Sequence, residues 1–181
     1  MKYSTTHLID EHETVNSYSW GLWNKILRYW FPAAKPLDVS LYWITPHTTK
    51  DRRISFVIHR SMEPPLLIVE VKPPYDFHVD QKREAAITQI TERLDVIGPT
   101  NLYPRLYAIS AIGKRWRVSY VAKGKGSKGG QPVKGIAAVN SLRSADQDCW
   151  NPDVTSVSSW EALRRIVATI KGYATYQAMY M

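Results

Sequence analysis

Apolar residues recur at steps of three and four between Thr14 and Phe31, where Trp20, Trp23, Leu27 and Trp30 form one stripe, the spacing of a helix face. Carried back by heptads, the stripe puts Glu13 on the same side as Trp20 and Leu27, and Pro32 and Pro36 close the helix. Period-two alternation follows. Asp38 to Ile44 sets Val39, Leu41 and Trp43 against Asp38, Ser40 and Tyr42, and RISFVIH sets Ile54, Phe56 and Ile58 on one face, so both predict strands. The next run, PPLLIVEVKPP from Pro64 to Pro74, barely alternates. A short apolar run between turn signals predicts a strand buried on both faces. Asp80 is read as the N-cap of a helix to about Ile97, with Ala86, Ile90, Leu94 and Ile97 inward and Gly98-Pro99 as its stop. Gln89 and Arg93 lie one turn apart along the edge of that stripe.

LYAISA and RWRVSYV predict two further strands, and Ser158-Ser159-Trp160-Glu161 reads as a capping box opening a last helix. Helix, three strands, helix, two strands, helix predicts an α/β fold with helices layered on a sheet. No internal repeat and no linker interrupts it. The expectation is a single domain over residues 1–181, with a core of about 14–121, a basic loop at 122–134 and a C-terminal helix at about 158–178.

Charge sharpens this picture. The chain carries a net +8, and no Asp or Glu occurs between Val96 and Ala145, where Arg105, Lys114, Arg115, Arg117, Lys123, Lys125, Lys128, Lys134 and Arg143 fall. A basic half after an acidic one suggests a polyanion partner, nucleic acid being the commonest, although solubility alone would also use such charge. Arg93, Lys114, Arg115, Arg117, Lys123, Lys125 and Lys128 are the candidate backbone contacts. No run approaches the length of a membrane span, MKYSTTHLIDEHE has no apolar segment after its lysine, and Cys149 is the one cysteine; an intracellular protein of nucleus or cytoplasm, not a membrane one, is the expectation. Gly124 to Gly129 has the G-x-G-x-x-G spacing, but Gln131-Pro132 leaves no room for the following helix, which excludes a dinucleotide site.

The chemistry concentrates at the end of the apolar strand. Glu70 and Lys72 share one face about 7 Å apart, and buried Glu and Lys are rare unless paired or binding something. A carboxylate there is a hard oxygen ligand suited to Mg²⁺ or Mn²⁺, and such sites usually draw one or two carboxylates from the protein. Asp38, opening the first strand on its polar face, is the leading second ligand; Asp51, nearer in sequence, is the alternative. Lys72 beside a metal-bound water would favour hydroxide and neutralise a phosphate oxygen.

Asp38, a hairpin, then Glu70-Val71-Lys72 on the next central strand resembles the PD-(D/E)XK nuclease superfamily, with a further likeness of PPLLIVEVKPP, Trp160 and IKGY to fungal members of it. The resemblance implies a restriction-endonuclease-like mixed sheet flanked by helices, an αβββαβ core. It also implies Mg²⁺ or Mn²⁺ held by Asp38, Glu70 and the Val71 carbonyl, and water activated by Lys72. Gln89 and Glu13 match accessory catalytic positions of some branches. The implied activity is hydrolysis of phosphodiester bonds, DNA ahead of RNA. The match departs in reading Pro36-Leu37-Asp38 for Pro-Asp, and Arg93 where a Tyr is usual. Asp/Glu-x-Lys also recurs at Asp80-Gln81-Lys82, away from any apolar strand. The alternative is the same fold without catalysis, a nucleic-acid- or protein-binding, effector-like module with Glu70 and Lys72 as a structural pair.

Overall fold

The computed structural model describes residues 11–33, 36–44, 53–60, 63–123, 131–132, 150–151 and 153–178, the side chains of 11–17, 42–44, 53, 131–132 and 176–178 excepted. Along the chain come α1 (Glu11–Trp30), β1 (Asp38–Ile44), β2 (Arg53–His59), β3 (Leu67–Lys72), α2 (Asp80–Ile97), β4 (Arg105–Ile112), β5 (Arg115–Ala122), the short β6 (Gln131–Pro132) and α3 (Val157–Ala178). Strand order across the sheet equals chain order. β1, β2 and β3 form an antiparallel meander, β3 and β4 run parallel, and β5 returns antiparallel. Parallel neighbours need a crossover, which α2 supplies. The protein is an α/β fold with a mixed sheet between helical layers.

Helices cover both sheet faces. Leu67, Val69, Tyr107, Ile109, Ala111 and Trp116 form one core with Trp23, Leu27 and Phe31 of α1 and Leu163, Ile166 and Ile170 of α3. Ile68, Leu106, Ala108 and Val121 meet Ile90, Leu94 and Ile97 of α2 on the other. β3 lies between β2 and β4 under both layers, which is why its apolar run does not alternate. β1 is the end strand, and Leu41, expected inward, is 38 % exposed there.

Two helix starts differ from expectation. The amide of Ser159 donates to Ser156 Oγ at 3.3 Å, so Ser156 caps α3 and the predicted box two residues later does not form. Asp80 is the first residue of α2 rather than its cap; it accepts Arg83 Nη2 at 2.6 Å.

Gly113, between β4 and β5, has φ +61°, and a Cβ there would sit 2.6 Å from Pro74 Cβ. Its amide donates to the Lys72 carbonyl at 3.0 Å, and its carbonyl accepts Trp23 Nε1 at 3.0 Å. The turn thus ties the end of β3 to α1. Left-handed backbone strains any other residue, and the proline cannot yield without moving the segment after β3. Gly113→Ala is expected to destabilise by about 1–3 kcal/mol, read as a lower urea midpoint; an unchanged midpoint would show that the turn relaxes freely.

Candidate functional site at the end of the third strand

Glu70 leaves β3 on the α2 side and is 3 % exposed. Its Oε1 accepts Arg93 Nε of α2 at 3.4 Å, both side chains being buried. Ser55 of β2 donates to Oε2 at 3.5 Å, while Ser55 Oγ accepts the Val71 amide at 3.1 Å. Glu70 therefore stands between a strand neighbour and a helix overhead. Ser110 on β4 and Arg117 on β5 continue its row across the sheet. Lys72, half-buried, is one step outward along β3, in register with Ile112 and Arg115.

Burial holds the Glu70 carboxyl above its ordinary value, opposed by Lys72, then Arg93 and the Ser55 main chain. The folded state thus keeps this proton to higher pH than the unfolded chain. Stability contributed by the group must fall as pH rises from the ordinary 4.5 through the folded-state value. Wild type is expected to lose stability against Glu70→Gln across that interval in urea titrations at stepped pH. Parallel curves would mean that Glu70 does not titrate there.

Asp38 does not join Glu70. It faces His59, whereas Val57 and Phe56 face Ile68 and Val69, so Ser55 is the β2 neighbour of Glu70. Asp38 lies one strand further out and four positions along, roughly 17 Å away at ordinary strand spacing and rise. Carboxylates sharing a magnesium must place oxygens about 2 Å from one ion. β2 stands between β1 and β3 and keeps the two carboxylates apart. Gln89 is half-buried on α2, one turn before Arg93. Val71 is half-buried against the α1–α3 core. The Glu13 side chain and Asp51 lie outside the described residues, as do Lys125 and Lys128.

Among the described residues the candidate backbone contacts do not form one patch. Arg93 and Arg117 are each 4 % exposed, Arg93 against Glu70 and Arg117 with its guanidinium 5.8 Å from the Trp150 ring; burial removes both from the surface role expected of them. Lys114 and Arg115 are exposed at the β4–β5 turn, Lys114 reaching Asp153 at 3.4 Å and Arg115 lying 5.1 Å over Phe77. Lys123 is exposed at the far end of the same hairpin, its amide bonded to Pro104.

A different charge division runs through the helical layers. α2 exposes Asp80, Glu84, Glu92 and Asp95 against Lys82. From Tyr18 onward α1 exposes Lys25 and Arg28 and no acid, and α3 exposes Arg164, Arg165 and Lys171 against Glu161. Among the described side chains the layer above Glu70 is acidic, and the opposite layer, from Tyr18 onward in α1, is basic. Sequence reading missed this because α2 buries its two arginines, Arg83 and Arg93, leaving its acids outside.

Among the described residues no cluster of three or more His, Cys, Asp or Glu could hold a metal ion. At Glu70 they bring one carboxylate, with a guanidinium on one oxygen and a serine on the other. Magnesium sites usually draw one or two carboxylates from the protein, and Asp51, the alternative second ligand, is not among the described residues. What the arrangement does chemically is neutralise a buried carboxylate and fasten α2 to β3. No family model, curated protein or solved structure matches the chain.

Proposed function

We propose that this protein is a nucleic-acid-binding module of PD-(D/E)XK-like architecture in which Glu70 and Lys72 serve the fold rather than hydrolysis. The observation that carries the reading is the Glu70 carboxylate, buried at 3 % exposure, ion-paired to Arg93 and four register positions from Asp38. The αβββαβ element order supports the architecture, and the net charge of +8 with a basic helical layer supports a polyanion partner. No helix among the described residues is long and apolar enough to cross a membrane.

Metal-dependent hydrolysis is the competing reading. Its support is Lys72, two residues beyond Glu70 at the carboxyl end of a strand beside a parallel neighbour, where α/β sheets open towards ligands. One experiment separates them. Supercoiled plasmid, linear duplex, single-stranded DNA and RNA are incubated with Mg²⁺, Mn²⁺ or EDTA, and binding is followed as salt is raised. Binding that is indifferent to EDTA and weakens with salt, without cleavage, is the expected result. Metal-dependent cutting that a folded Lys72→Ala protein lacks would restore the nuclease reading.

A further inference from the structure

We infer that single-stranded nucleic acid docks on the outer face of α1 and α3, with bases stacked on Tyr29 and Trp160 and phosphates held by Lys25, Arg28 and Arg164. The inference rests on the nucleic-acid reading above and adds the face and the form of strand.

Tyr18 and Tyr29 are 67 % and 68 % exposed on α1, and with Leu22 and Lys25 they fall on one helical stripe by three- and four-residue spacing. Tyrosine rings left this open are unusual for a residue that generally buries much of its surface. Tyr29 does not stand alone. Its ring centroid is 5.3 Å from that of Trp160 on α3, and Trp160 is 4.8 Å from Trp30, with interplanar angles of 46° and 38°. The cluster bridges the end of α1 and the start of α3, with Tyr29 exposed and Trp30 and Trp160 partly buried against the core.

Beside Trp160 lies a shallow recess of about 430 Å³, bordered by Thr155, Val157, Glu161 and Arg164. Val157 on its rim is 78 % exposed. Trp30 Nε1 is buried without a hydrogen-bond partner among the described residues.

Charge selects the occupant. Lys25 precedes Tyr29 by one turn, Arg28 adjoins it in sequence with its Nε on Asn24 Oδ1 at 3.0 Å, and Arg164 follows Trp160 by one turn, so each helix carries cations near its ring; Glu161 is the acid among them. Aromatic rings within a cationic surface are the combination that binds single strands, because every base offers a π-face and the backbone runs along the cations. A duplex keeps those faces stacked internally. The α2 layer, with its four exposed acids, would repel the same backbone.

The test is fluorescence anisotropy with a labelled 20-mer of single-stranded DNA, the same sequence as RNA, and its duplex, at 50 to 200 mM salt. Proteins compared are wild type, Tyr29→Ala, Arg164→Glu, the pair Lys25→Glu/Arg28→Glu, and the pair Lys114→Glu/Arg115→Glu at the β4–β5 turn. Each altered side chain is exposed, and unfolding midpoints confirm the fold. Expected are preference for either single strand over duplex, a loss of roughly 5- to 100-fold in Tyr29→Ala, and a shallower salt dependence in Arg164→Glu and the α1 pair. Full affinity in those variants, with binding lost in the β4–β5 pair, would overturn the face while leaving nucleic-acid binding intact. Tighter binding of duplex would overturn the strand form. No binding of any oligonucleotide by wild type would overturn both readings, and retention on anionic lipid vesicles would then reassign the face to a membrane surface.

Discussion

Arg93→Ala is expected to destabilise the protein by about 3–5 kcal/mol at neutral pH, because it leaves a carboxylate buried without its cation. Glu70 is 3 % exposed under α2, and its pairing distance of 3.4 Å is longer than a normal hydrogen bond, so the attraction already offsets desolvation incompletely. Removing the guanidinium raises the carboxyl further. The loss should therefore shrink as pH falls and Glu70 takes up a proton. Arg93→Met/Glu70→Met removes both charges at similar volume, and replacing a whole buried pair is often neutral or stabilising. Recovery in the double variant, measured by urea unfolding, is the expected outcome. A double variant as weak as Arg93→Ala would show that the site depends on charge for something other than mutual neutralisation.

Trp23→Ala should cost about 3–5 kcal/mol through the cavity it leaves. Trp23 is 0 % exposed at the centre of the α1–α3 core, and its indole donates to the Gly113 carbonyl at 3.0 Å. Trp23→Phe keeps most of the volume but removes the donor and part of the bicycle, leaving a buried carbonyl short of a partner at about 1–3 kcal/mol besides a smaller cavity. A thermal or urea midpoint in Trp23→Phe no lower than wild type would show that the hydrogen bond contributes nothing and that packing alone holds α1 to the turn.

What the amino-acid order reveals here is mostly local. DVSLYWI and RISFVIH match β1 and β2 because alternation is written into neighbouring residues, and Gly98-Pro99 marks the end of α2 by its own backbone limits. The buried character of β3 was legible from its unbroken apolar run. The site itself was less legible. Whether Asp38 reaches Glu70 depends on strand order and register, and a hairpin loop does not announce how its strands align with a third. Arg93 looked like a surface cation on a helix edge because its partner lies 23 residues earlier, on a strand that only tertiary packing brings beneath it. Lys114 and Lys123 are near in sequence yet sit at opposite ends of one hairpin, which divides a run that composition alone presents as continuous.

The bond between Trp23 and Gly113 spans 90 residues, and that separation bears on how the chain is made. A ribosome releases α1 long before β4, the β4–β5 turn or α3 exists. During that interval Trp23, Leu27 and Phe31 have none of the surfaces that later cover them, apart from what β1 to β3 provide as they emerge. Exposed apolar stripes of this kind are where nascent chains aggregate or recruit chaperones. Completion of the α1 layer is accordingly a late event in biogenesis, and a chain stalled before residue 113 would carry this helix only partly covered.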